Sequence, residues 1–82
     1  MRLDKYLKVS RLIKRRSVAA EACTQGRVML NEKPAKPSAE VKQGDVLTLQ
    51  FGERKLQVRV TETAEHALKA DASGLYEVLA EA

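Results

Sequence analysis

At Gly26 the apolar residues change their spacing, and that change restricts the chain to few folds. Before it, Leu3, Tyr6 and Leu7, then Ala19, Ala22 and Cys23, recur at i, i+3 and i+4. That is the spacing of one helical face. After it, Val28 and Leu30 alternate with Arg27 and Met29. Leu47, Leu49 and Phe51 alternate with Thr48 and Gln50, and Leu56, Val58 and Val60 with Lys55, Gln57 and Arg59. This is the alternation of strands with one buried face. Helices grouped ahead of strands specify an α+β arrangement, since a βαβ fold would interleave them. The 82 residues suffice for one small domain.

The first helix is expected over residues 3–9. Asp4 stands in its first turn, where the helix dipole favours a carboxylate. Ser10 interrupts, and Leu12-Ile13 supplies a second apolar anchor. The second helix is expected over residues 15–25. Ser17 reads as its N-cap, and Gly26 as the residue that ends it at positive φ. A strand follows from Arg27 to Leu30, then a turn at Asn31-Glu32. Pro34 and Pro37 confine the next strand to an edge or an irregular course. Gln43-Gly44-Asp45 is a further turn. Gly52-Glu53 joins the best-defined hairpin, Leu47–Phe51 with Leu56–Val60.

In the tail, Thr61–Lys69 reads as a strand end and polar loop. Asp71–Leu79 reads as a short amphipathic helix, although Gly74 weakens it. The expected fold is two N-terminal helices packed on a small, mainly antiparallel sheet of about four short strands, with a short C-terminal helix.

Charge is distributed unevenly. The net charge is +4, yet residues 1–36 hold ten Lys and Arg against Asp4, Glu21 and Glu32. Residues 60–82 hold Lys69 alone against Glu62, Glu65, Asp71, Glu77 and Glu81. A basic half joined to an acidic half is the footprint of a polyanion-binding surface with a non-binding back. No uncharged apolar run approaches the roughly 18 residues of a membrane span, and no apolar segment of a secretory signal follows Met1. A soluble cytoplasmic monomer without membrane contact is expected.

Residues for catalysis are missing. Cys23 lies on the small apolar face of the second helix, as a buried structural thiol does. His66 lacks the convergent partners that a metal or catalytic site needs. Gly26, Gly44, Gly52 and Gly74 are too far apart for a phosphate-cradling loop. No catalytic residue, metal or cofactor is expected.

Residues for nucleic acid are present. Lys14-Arg15-Arg16 is a tribasic cluster at the mouth of the second helix. Arg2, Lys5, Lys8 and Arg11 precede it at spacings of three or four, which one helical face can share. Arg27 follows the second helix. The planar arginine fork gives bidentate contacts to phosphate and stacks on bases. Phe51, Tyr6 and Tyr76 are too few for a stacking platform, so recognition by shape and phosphate is expected.

Four stretches in order carry a family resemblance: Arg2-Leu3-Asp4-Lys5-Tyr6-Leu7, Arg15-Arg16-Ser17-Val18-Ala19, Gln25-Gly26-Arg27-Val28-Met29-Leu30-Asn31 and Val41-Lys42-Gln43-Gly44-Asp45-Val46. Together they resemble the S-four RNA-binding domain, a module named after a small-subunit ribosomal protein. It also occurs in pseudouridine synthases, some tyrosyl-tRNA synthetases and a heat-shock ribosome-binding protein. The resemblance covers residues 1–60 and leaves 61–82 as an extension packed on the same domain. It implies that the two helices and the adjoining loop face structured RNA, with Arg2, Asp4, Arg15 and Arg16 at RNA-facing positions. Asp4 is either a carboxylate that aligns Arg2 or a neighbouring arginine, or a direct RNA contact.

The stretch Met1 to Arg16 and the tail around Ala72-Ser73-Gly74-Leu75-Tyr76 also resemble stand-alone bacterial members that act in ribosome-associated quality control. That resemblance implies binding to rRNA of obstructed large subunits carrying peptidyl-tRNA. There an RqcH-type partner adds a C-terminal alanine tail, and the small factor is no catalyst. A generic assembly or heat-shock factor, a targeting module detached from an RNA-modifying enzyme and a protein-interaction module are the competing readings.

Two departures from the family pattern stand out. The family commonly has Asn-Gly where this chain has Asn31-Glu32. A non-glycine at positive φ costs on the order of 1 kcal/mol, which favours another turn type. The family register also places the cap of the second helix at Arg15, two residues before Ser17.

Overall fold

The computed structural model describes residues 1–63 and 74–81. Helices α1 (Leu3–Val9) and α2 (Arg16–Thr24) precede strands β1 (Val28–Leu30), β2 (Lys33–Pro34), β3 (Val46–Phe51), β4 (Arg54–Val60) and β5 (Tyr76–Glu81). The strands form one antiparallel sheet in the order β2-β1-β3-β4-β5. The α+β class and the two N-terminal helices are as expected from the change in period. No described helix is long and apolar enough to cross a membrane.

Helix α1 buries Leu3, Tyr6 and Leu7. Its first N–H groups lack helical partners, and a later loop supplies them. The Leu3 N–H donates to the Ala39 carbonyl at 2.8 Å and the Asp4 N–H to the Pro37 carbonyl at 3.1 Å. Ser10 caps the C-terminus, and Arg11 follows in the left-handed region at φ 64°. Its N–H donates to the Lys8 carbonyl at 3.1 Å, and the Ile13 N–H to that of Leu7 at 3.0 Å. These bonds fold the chain back, so Ile13 enters the core while Arg11, Lys14 and Arg15 stay exposed.

Helix α2 is capped by extended Arg15 (φ −122°, ψ 136°), without a side-chain bond. Ser17 therefore lies inside the first turn, and the cap stands at Arg15, where the family register placed it. Small side chains decide the packing: Ala19 and Cys23 are buried against α1 and the sheet. Gly26 ends the helix at φ 76°.

The β1–β2 turn corrects another expectation. Asn31 and Glu32 both take positive φ, 52° and 69°, which is the type I′ geometry that matches strand twist. Asn31 is held there by three bonds. Its N–H donates to the Val46 carbonyl at 2.7 Å. Its Oδ1 accepts from the Val46 N–H at 2.9 Å, and its Nδ2 donates to Asp45 Oδ1 at 3.2 Å. No such group steadies Glu32 at its left-handed position among the described residues.

The expected β3–β4 hairpin is present, with Leu47 opposite Val58 and Leu49 opposite Leu56. These four residues and Val28, Val41 and Val60 form the floor under the helices.

The tail differs from the expected helix. Tyr76–Glu81 is a fifth strand, with Tyr76 opposite Val60 and Glu77 opposite Arg59. The reason is tertiary. An unpaired β4 would leave a long open edge beside the core, and Tyr76 and Val78 suit a strand. Leu75 is buried, and its carbonyl accepts from Tyr6 Oη at 2.6 Å. Burial, aided by Tyr76, pushes the Tyr6 hydroxyl well above the usual tyrosine range. Residues 71–73 of the expected helix and His66 lie outside the described residues.

Glycine has no penalty at positive φ. Glu32→Gly should therefore raise unfolding stability by about 1 kcal/mol, read from urea melts with an unchanged slope. No gain would mean that the turn is relaxed with Glu32 in place.

Candidate nucleic-acid interface

The site is built around Asp4. It is 4% exposed, and Ser10 is the only other buried polar residue among those described. A buried carboxylate needs partners that satisfy its oxygens. Asp4 Oδ1 accepts from the Lys5 N–H at 2.7 Å and from Arg16 Nη2 at 3.4 Å, and Oδ2 accepts from Arg2 Nη2 at 3.2 Å. One carboxylate thus joins the residue before α1 to the first residue of α2.

The arginines stay open to solvent, with side chains 53% exposed for Arg2 and 47% for Arg16. Both contacts lie at the long end of hydrogen-bonding distance, and each guanidinium has five N–H donors. Most donors are therefore left for a ligand. Pairs this exposed add at most about 1 kcal/mol each to folding. Their larger effect is on position, because two long side chains are partly ordered before anything binds. Of the two roles open for Asp4, the geometry fits the aligning one.

The backbone around Arg2 is pinned as well. The Met1 ammonium meets Glu40 at 2.9 Å. The Val41 N–H donates to the Met1 carbonyl at 2.8 Å, and Arg2 forms an isolated bridge with Glu40. Glu40 is a positioning residue that sequence reasoning missed. It lies 39 positions from Met1, and no local pattern signals that distance.

Lys8, Arg11, Lys14, Arg15 and Arg27 are exposed, and Lys5 is half-buried. Among the described residues, the side chains of Lys8, Arg11, Lys14, Arg15 and Arg27 make no ion pair or hydrogen bond. Lys8 stands one turn further along α1, about 6 Å from Asp4 by helical rise, and Arg11 just beyond the end of the helix. Arg2, Asp4 and Arg16 are thus brought into contact, while Lys8 and Arg11 extend the basic surface. Away from it, Arg59 of β4 is neutralised by Glu77 of β5 at 2.6 Å.

Cys23 is not activated. Burial first, and then the charge of Asp4, pushes its thiol up to about 11. A thiol that stays protonated at neutral pH is a poor nucleophile.

Asp4→Asn separates alignment from charge. It keeps the shape and an acceptor, but removes a negative charge from a basic surface. Bulk electrostatics alone would tighten RNA binding. If alignment matters, affinity for RNA should instead fall by roughly tenfold, the lower range for one arginine contact, with a stability loss of about 1 kcal/mol. Filter binding and thermal melts of the same variant check both.

The S4 domain family model matches residues 1–47, which span α1, α2, β1, β2 and the start of β3. A protein from Halalkalibacterium halodurans named RQC P-site tRNA stabilizing factor is 53% identical over 95% of this chain and 89% of its own length. One of the same name from Bacillus subtilis is 49% identical over 99% of this chain and 94% of its own. Among solved structures, trimeric Vibrio cholerae heat shock protein 15 superposes with a TM-score of 0.89 at 32% identity, covering 98% of this chain and 82% of that one. With half of its length matched by the domain and near-complete relatives at this identity, the chain belongs to the S4-domain family of the RQC P-site tRNA stabilizing factors.

Proposed function

We propose that this chain is a non-enzymatic, cytoplasmic RNA-binding factor of the large ribosomal subunit. It binds rRNA of obstructed subunits that carry peptidyl-tRNA, steadies the tRNA and so supports C-terminal alanine tailing by an RqcH-type partner. Off the ribosome it is a monomer. The observation that carries the RNA reading is the Asp4-held pair of exposed arginines, Arg2 and Arg16, at the entrances of both helices. The names of the near-complete relatives support the tRNA-stabilising role.

The interface is assigned to Arg2, Lys5, Lys8, Arg11, Lys14, Arg15, Arg16 and Arg27, with Asp4 as the residue that aligns Arg2 and Arg16. Phosphates of structured RNA meet the guanidinium forks. The heat-shock reading has one observation in its favour, the likeness to heat shock protein 15. Crosslinking separates the two. Ultraviolet crosslinking of the tagged protein in cells, with sequencing of attached RNA, should recover large-subunit rRNA together with tRNA. Ribosomal RNA without tRNA would favour the heat-shock role, and no RNA above background would remove both.

Arg16→Ala should weaken binding to purified large subunits by about tenfold or more while lowering stability by no more than about 1 kcal/mol, a melting-temperature shift of at most about 4–8 °C. Binding by the unaltered protein should also fall steeply with salt, because each neutralised phosphate releases counterion. Unchanged affinity in the variant, or a flat salt response, would reduce the tribasic cluster to a solvated surface.

A further inference from the structure

We propose that the groove between α2 and the end of β3 receives one unpaired nucleobase of the bound RNA, an inference that rests on the RNA-binding reading above. The groove has a volume of about 170 Å³, and its walls include Leu12, Val18, Ala22, Arg27, Leu49 and Phe51.

Its origin lies in the sheet. Leu47, Leu49 and Phe51 alternate onto the same face of β3. The helices cover Leu47 and Leu49 completely, but Phe51 is 44% exposed and Val18 49%. An aromatic ring and a branched aliphatic chain therefore flank an open slot, where an uncovered apolar surface signals a binding partner.

The surroundings say which partner. Leu12 sits between exposed Arg11 and Lys14, and Val18 follows Arg15 and Arg16 within one helical turn. Arg27 is part of the wall itself. Among the described residues, none that lines the slot is acidic. Glu21 lines the adjoining depression and accepts from Gln25 Nε2 at 3.0 Å. An apolar peptide would suit the walls but not this cationic rim. A nucleobase suits both. Its faces are apolar and stack on an aromatic ring, its edge offers acceptors to Arg27, and its flanking phosphates meet Arg11, Lys14 and Arg15. Strain also gathers here, since Arg11 holds a left-handed conformation immediately before Leu12.

Three scattered aromatics do not form a stacking platform, but the fold makes one of them into a single-base slot. The consequence is selectivity. A helix with a bulged nucleotide should bind more tightly than a fully paired one, whose bases cannot reach the slot.

The chain contains no tryptophan, so Phe51→Trp creates a single local reporter. Two RNA hairpins serve as probes, identical except for one bulged adenosine. The bulged hairpin should quench Phe51→Trp emission and the paired hairpin should not. By fluorescence anisotropy the unaltered protein should prefer the bulged hairpin by about tenfold. Phe51→Ala should abolish that preference while binding the paired hairpin as before. Equal binding of both hairpins without quenching would overturn the slot and leave the RNA face standing. Binding of neither would overturn both. Weakened attachment of Phe51→Ala to large subunits, without a bulge preference in the unaltered protein, would make the groove a protein contact and overturn the proposal.

Discussion

The buried carboxylate of Asp4 is the constraint on which the arrangement of the basic face depends. It is taken out of water at the junction of α1 and α2 and needs cationic partners there. Arg2 comes from the strand-like entry to α1 and Arg16 from the first turn of α2. Satisfying the carboxylate thus fixes where two guanidiniums stand, although both stay about half exposed. The exposed pairs add little to folding, whereas ordering a flexible arginine before it meets phosphate lowers the cost of binding.

That geometry needs a rigid support, and the rest of the fold supplies it. The loop carbonyls of Pro37 and Ala39 fix the start of α1, and the Met1–Glu40 pair fixes the residue before it. From below, Tyr6 reaches through the core to the Leu75 carbonyl and ties α1 to the entrance of β5. The far strand therefore belongs to the same mechanical unit as the arginines. The Arg59–Glu77 pair neutralises a cation there.

Much of this was legible in the residues because it is written in short-range patterns. The i, i+3, i+4 repeats of Leu3, Tyr6 and Leu7 and of Ala19, Ala22 and Cys23 marked both helices. Alternation at Leu47, Leu49, Val58 and Val60 marked the hairpin. Three features were not legible. Tyr76–Glu81 has both helical and strand spacing in so short a run, and the open edge of β4 decided between them. Ser17 carries a good capping side chain, and only the family register, not the local pattern, pointed to Arg15, which holds the cap because the fold-back after α1 delivers an extended residue there. Asn31-Glu32 lacks the glycine of a type I′ turn, and the side chain of Asn31 compensates by bonding Val46 and Asp45. For the site, the cations could be named from clustering, but the joining of Arg2 to Arg16 through Asp4 depends on how two helices cross.

The most direct measurement is a double-mutant cycle on Asp4 and Arg16, read as affinity for purified large ribosomal subunits. If Asp4 acts by holding Arg16, the loss caused by Arg16→Ala shrinks once Asp4 is already Asn. The coupling should then exceed about 0.5 kcal/mol, beyond what independent sites show. Losses that add within that margin would mean that Asp4 and Arg16 act separately, and would contradict the claim that a buried carboxylate organises the RNA-binding face.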